Sequence, residues 1–232
     1  MKKLLLASTS TIYGSDYLAY LLDDVARFFK DIKTVVFIPY ARPSGISYDD
    51  YTAIAAKAFA KINISVKGIH TFDNPKEAIA NAQAVFTGGG NTFLLLKTLY
   101  ENDIISILQA KINKGMPYMG TSAGSNIAGQ TIKTTNDMPI VYPPSFDALQ
   151  LIPFNINPHY LDADPNSKHK GETRETRILE YLSQNNIPVI GLREGSWLEV
   201  SGSVIELKGE LKARLFLSLD SIKEINSGRI EL

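Results

Sequence analysis

Residues 120–124 read Gly-Thr-Ser-Ala-Gly and directly follow the short apolar run Met-Pro-Tyr-Met at 116–119. A serine placed this way can sit on a sharp turn between a strand and a helix, because Gly120 and Gly124 lack a Cβ and let the chain reverse tightly. The helix that follows would aim its free N–H groups and positive dipole end at whatever Ser122 attacks. The chemistry in question is nucleophilic attack by a hydroxyl. The same five residues also fit a glycine-rich turn whose serine does no more than cap a helix, so the rest of the chain must supply a nucleophile's partners.

An alcohol is almost wholly protonated near neutrality and needs a base, a role suited to imidazole with its unperturbed pKa of about 6.5. His70, His159 and His169 are the three histidines of the chain. His70 ends an apolar run, and His169 lies in Ser-Lys-His-Lys-Gly, which reads as a solvated loop. His159 is the first choice, since it follows Phe-Asn-Ile-Asn-Pro, an extended segment whose proline fixes the approach. A carboxylate should hold the far side of the imidazole. Glu194, just beyond a buried run, and Asp137, in Thr-Thr-Asn-Asp-Met-Pro, both fit; Asp137 can equally close an Asx-type turn, and Glu194 can be a surface acid.

The elements that must position these residues alternate in type. Short apolar runs at 4–7, 34–39, 64–69, 84–87 and 116–119, several of them β-branched, read as buried strands. Helical spacing of Leu18, Leu21, Leu22, Val25, Phe28 and Phe29, then segments 51–62, 91–100 and 104–113, supply helices between them. This rhythm predicts an α/β three-layer sandwich, a mostly parallel sheet with helices on both faces. Ligands on such sheets bind beyond the carboxyl ends of the strands, where Gly88-Gly89-Gly90 and residues 120–124 both fall. Prolines break the pattern from 131 to 158 into extended segments and turns. A helix at 172–182, a strand at 187–192, a hairpin of 197–200 with 204–207 and a last strand at 213–217 complete one domain spanning 1–232.

Composition narrows the classes. Lys+Arg and Asp+Glu both number 24 in 232 residues, so no net field favours nucleic acid or an anionic membrane. With no cysteine, disulfides, thiolate metal sites and a cysteine nucleophile are excluded. The opening Met-Lys-Lys-Leu-Leu-Leu-Ala-Ser is too short in its apolar part for a signal peptide, and no segment approaches the roughly 20 apolar residues of a membrane span. A cytoplasmic protein is expected.

Beyond residues 88–93 (Gly-Gly-Gly-Asn-Thr-Phe) and 120–124, the chain carries Thr-Thr-Asn-Asp-Met-Pro-Ile at 134–140 and Phe-Asp-Ala-Leu at 146–149. It continues with Ile-Asn-Pro-His at 156–159, Lys-Gly-Glu-Thr-Arg-Glu at 170–175 and Gly-Leu-Arg-Glu-Gly-Ser-Trp at 191–197. In this order, over about residues 1–200, these segments resemble the peptidase E family, cytoplasmic serine dipeptidases that cleave α-aspartyl dipeptides. The resemblance implies a fold like the class I glutamine amidotransferases (flavodoxin-like), with a nucleophile elbow. It matches Ser122 to the nucleophile, His159 to the base and Glu194, rather than Asp137, to the acid, in a chain order that differs from that of α/β-hydrolases. Gly90 and Ala123 N–H match the oxyanion hole, and Arg174 matches the arginine that grips the aspartyl carboxylate. Asn91 and Asn157 are candidate polar liners of the substrate site.

The implied substrate is a dipeptide with N-terminal Asp. No metal or cofactor is called for, and the only protein partner expected is a second copy in a homodimer. Thr121 departs from the family, whose bacterial members often carry Trp there. Because Gly-Thr-Ser-Ala-Gly also occurs in cyanophycinases, hydrolysis of β-aspartyl peptides is the alternative. A nucleotide-binding module cradling phosphate at residues 88–90 is a second one, although the Lys-Ser/Thr of a P-loop is missing.

Overall fold

Past the exposed Lys3, successive residues of the first strand, β1 (Lys3–Ala7), point alternately into two different cores, and this doubly buried state is why Leu4 to Ala7 are all apolar. The computed structural model describes residues 1–164, 166, 168 and 171–231. Leu4 and Leu6 join Val36, Ile38, Val85 and Tyr118 on one face, whereas Leu5 and Ala7 join Val35, Phe37, Phe86 and Met119 on the other.

β1 belongs to an eight-stranded sheet. It pairs in parallel with β5 (Tyr118–Thr121), which pairs with β4 (Val85–Thr87), then β2 (Thr34–Ile38) and β3 (Ser65–Gly68), all parallel. Their carboxyl ends therefore share one edge. On the face of Leu5 and Ala7 lie α1 (Leu22–Phe28) and α2 (Tyr48–Ala60), through Val25, Tyr51, Ala55 and Phe59. On the other lie α3 (Pro75–Asn81), α4 (Thr92–Glu101), α5 (Ile105–Asn113) and the short α6 (Ala123–Asn126).

Three expectations change. Helix α3 was not anticipated, although its start is written in Asn-Pro-Lys-Glu: the Asn74 side chain accepts the Lys76 and Glu77 N–H groups, with Pro75 at the first helical position. The single helical face from Leu18 to Phe29 is divided, because Leu18 is left-handed (φ 59°) and a 3-10 turn over Ala19–Leu21 precedes α1. The sheet is parallel only in its β1–β5 half. Beyond β1 the antiparallel β8 (Trp197–Ser201), β9 (Val204–Lys208) and β12 (Gly228–Arg229) extend it.

A second, four-stranded sheet was not foreseen. It contains β6 (Asn155–Pro158), β7 (Val189–Leu192), β10 (Ala213–Ser218) and β11 (Ser221–Ile225), so residues 213–217 are not the last strand. Ile156, Ile190, Leu192 and Leu215 face the main core; Val189 and Phe216 face α7 (Arg174–Leu182) through Ile178 and Leu182. The sheet and α7 thus add to the three layers expected. β6 and β7 are parallel neighbours with Pro158 opposite Leu192, which brings the residues that follow each strand side by side.

Candidate active site

Ser122 occupies the link between β5 and α6 at φ 53°, ψ −112°, a conformation L-residues rarely adopt. The turn is over-determined. Ala7 O, at the end of β1, accepts both the Ser122 N–H (3.1 Å) and the Ser125 hydroxyl (2.7 Å), and the Tyr118 hydroxyl donates to Gly124 O (2.7 Å). A Cβ on Gly124 would overlap Thr87 O, and one on Gly120 would overlap Gly124 O, so both glycines are required by close backbone approach.

His159 and Glu194 arrive from the second sheet, each one or two residues past a strand end. With its ring proton on Nδ1, His159 donates to Glu194 Oε1 at 2.6 Å and accepts from the Ser122 hydroxyl at Nε2, 2.8 Å away. His159 also has a positive φ, 54°. Ser8, one residue past β1, holds it there: its hydroxyl accepts the His159 N–H (2.8 Å) and donates to Leu192 O (2.7 Å), while lying fully buried. Ser8 thus joins the end of the large sheet to the ends of β6 and β7. Nothing in the sequence marks it except its place at a strand's carboxyl end. Ser8→Ala leaves the His159 N–H without its acceptor, at a cost of about 1–3 kcal/mol, while Leu192 O keeps the Tyr160 N–H at 3.1 Å. The expected result is a lower melting temperature together with a reduced kcat at nearly unchanged KM.

Glu194 is steadied by its neighbour. The Arg193 guanidinium donates to both oxygens of Asp162 (2.7 and 2.8 Å), both oxygens of Glu224 (2.9 and 3.0 Å) and Lys212 O (2.7 Å). Its hydrogen bonds and charge hold the carboxyls of Asp162 and Glu224 below their usual range. Carboxylates lowered in the folded state stabilise it above their unfolded pKa, and the contribution is lost as pH falls through the folded values. Arg193→Met should therefore cost about 1 kcal/mol near neutrality, a modest figure because the Asp162 side chain is 59% exposed. Thermal unfolding compared with wild type should show this deficit shrinking below about pH 4.

The N–H groups of Ala123, directly after Ser122, and of Gly90, directly after the Gly89 that touches Ser122, have no acceptor among the described residues. Ala123 starts α6, and Gly90 lies beside Ala41, whose carbonyl accepts the Asn91 N–H at 2.7 Å. Gly89 packs on the nucleophile itself: a Cβ there would lie 2.9 Å from Ser122 Cβ. Its N–H donates to the Tyr51 hydroxyl at 2.9 Å, another role not read from the sequence.

The remaining candidates divide. Asn91 caps α4, accepting the Leu94 N–H (3.0 Å) and donating to Met138 O (2.8 Å), so its amide is engaged in structure. Asn157 is 3% exposed; its amide nitrogen donates to Thr134 O and Asn136 Oδ1, both at 2.8 Å, and its buried Oδ1 has no partner among the described residues. Asp137 does not approach His159; its Oδ2 accepts from the Thr92 N–H (2.7 Å) and hydroxyl (2.6 Å) at the start of α4. Arg174 begins α7 half-buried, with no carboxylate in ion-pair range among the described residues. Burial, followed by the charge of Arg177, lowers its pKa against the opposing pull of Asp137.

Thr121 is fully buried in β5, opposite Ala7, and its hydroxyl has no partner among the described residues. His70 bonds Asp49 (2.9 Å) away from Ser122. His169 lies outside the described residues. Among the described residues, no group of three or more acidic or histidine side chains is placed to hold a metal ion.

A hydroxyl, an imidazole and a carboxylate hydrogen-bonded in series at the carboxyl edge of an α/β fold are the features of a serine hydrolase. The model of peptidase family S51 matches residues 4–208, and the chain belongs to that family of serine peptidases. It is 49% identical over 225 residues to Peptidase E of Streptomyces coelicolor, covering 97% of this chain and 91% of the relative. It is 44% identical to a probable alpha-aspartyl dipeptidase of Drosophila melanogaster, covering 97% of this chain and 93% of the relative. In fold it is similar to a peptidase from an acI-B1 actinobacterium, with a TM-score of 0.76 at 18% identity over 100% of this chain and 97% of the other.

Proposed function

We propose that the chain hydrolyses dipeptides with an N-terminal α-linked aspartate, through an acyl-enzyme formed on Ser122. The observation that carries this reading is the continuous Ser122–His159–Glu194 relay, 2.8 and 2.6 Å, on a serine held at a strained φ of 53°. In it the turn at Ser122 acts as a nucleophile elbow of the class I glutamine amidotransferase type. His159 takes the hydroxyl proton as Ser122 attacks the aspartyl carbonyl, and Glu194 supports the imidazolium that forms. The Gly90 and Ala123 N–H groups receive the oxyanion. His159 returns the proton to the leaving amine, and water repeats the sequence to release aspartate.

Arg174 supplies the charge for the aspartyl side chain, a role supported by its lack of an acidic partner among the described residues. The names of the relatives at 49% and 44% identity support the substrate class. No helix among the described residues is long and apolar enough to cross a membrane. The test is hydrolysis of Asp-Leu against its β-linked isomer and Glu-Leu. Preferential cleavage of Asp-Leu is expected; faster cleavage of the β-linked isomer would replace this reading with the cyanophycinase-like one.

A further inference from the structure

We propose that Arg42 binds the C-terminal carboxylate of the dipeptide and thereby limits the enzyme to short substrates; this rests on the dipeptidase reading above. Arg42 follows β2 at the same sheet edge as Ser122, and the residue before it, Ala41, packs against Gly90. Its Cζ lies 4.4 Å from the centre of the Tyr51 ring. The Tyr51 hydroxyl in turn binds the Gly89 N–H, and Gly89 touches Ser122. One phenol ring and one peptide therefore separate the guanidinium from the nucleophile, and both are fixed.

The cation meets no carboxylate within ion-pair range among the described residues, in contrast to Arg27, Arg177, Arg193 and Arg214. Its Nε is buried and has no acceptor among those residues. The Tyr17 ring packs edge-on against Tyr51 at 6.2 Å and backs the same ring. A buried guanidinium N–H without an acceptor is uncommon in a protein interior and suits an anion that the chain itself does not supply.

Placement selects which anion. Asp137, whose charge Arg174 feels, sits on the start of α4 and therefore over the sheet face that carries α3–α6. Tyr51 and the Arg42 head lie over the opposite face with α1 and α2. With the aspartyl side chain directed to Arg174, the leaving amino acid faces Arg42. Its carboxylate lies only one residue, about 3.5 Å of chain, past the scissile bond.

The experiment compares kcat/KM for Asp-Leu, Asp-Leu amide and Asn-Leu in wild type, Arg42→Gln and Arg42→Lys. Wild type should lose about 10- to 100-fold on amidation of the C-terminus. In Arg42→Gln that penalty should fall to roughly twofold, with the activity on the amide itself near wild type and so reporting an intact fold. Arg42→Lys, which keeps the charge without the planar fork, should retain an intermediate penalty, and it serves as the variant to read if the glutamine protein does not fold. An unchanged acid-to-amide ratio in the variants overturns the proposal, as does loss of the Asp-over-Asn preference instead. A wild type that cleaves Asp-Leu and its amide equally removes the carboxylate contact but leaves the dipeptidase reading standing; a wild type inert toward both removes the two together.

Discussion

Ser122→Ala is expected to lower kcat for an α-aspartyl dipeptide by about 10⁴- to 10⁶-fold while leaving the melting temperature within a few degrees of wild type. The hydroxyl is the only atom removed, and its one side-chain partner is His159 Nε2 at 2.8 Å. The backbone of the turn remains held by Ala7 O and by the contacts of Gly120 and Gly124, none of which involve the serine Oγ. Because Ser122 and His159 act as one proton-transfer unit, a Ser122→Ala, His159→Ala double variant should be little worse than either single one. Additive losses would mean that the two groups serve separate steps.

The second large effect is expected at Gly90. Its φ of +143° lies where residues with a Cβ are strained, and a Cβ would overlap the carbonyl of Ala41. Backbone strain and overpacking together put the cost of Gly90→Ala at about 3–5 kcal/mol, a large part of a typical domain's 5–15 kcal/mol. The displaced peptide also carries one of the two N–H groups assigned to the oxyanion, so a further loss of about 10²- to 10³-fold in kcat is expected. Thermal unfolding and steady-state kinetics well below the transition separate the two effects. A destabilised variant with wild-type kcat would remove Gly90 from the chemistry and leave it a packing glycine.

Much of this arrangement was legible in local sequence. Gly120, Gly124 and the apolar run before them announce the turn at Ser122, and the strands feeding the carboxyl edge follow from short apolar runs in β1, β2 and β4. His159 and Glu194 could be nominated because each follows a short buried strand. What local pattern could not convey is that those strands, β6 and β7, form a separate sheet, whose partners β10 and β11 lie far along the chain. Ser8 shows the same limit: its tie to His159 spans 151 residues and leaves no periodicity to read. Arg193 stands beside Glu194 in Gly-Leu-Arg-Glu-Gly-Ser-Trp, but its partners, Asp162 and Glu224, are each 31 residues away. Asn91 and Asn157 also carry structural bonds that local sequence does not convey, since an asparagine beside a site can close a helix end or tie down a loop, and here both do so.

The central claim is that Ser122 carries the acyl group, and acid-quenching the enzyme during turnover of an α-aspartyl ester, followed by peptide mass mapping, tests it most directly. The account predicts an aspartyl adduct on the peptide that contains Ser122, absent from Ser122→Ala. An adduct on another residue, or undiminished turnover by Ser122→Ala, would contradict it.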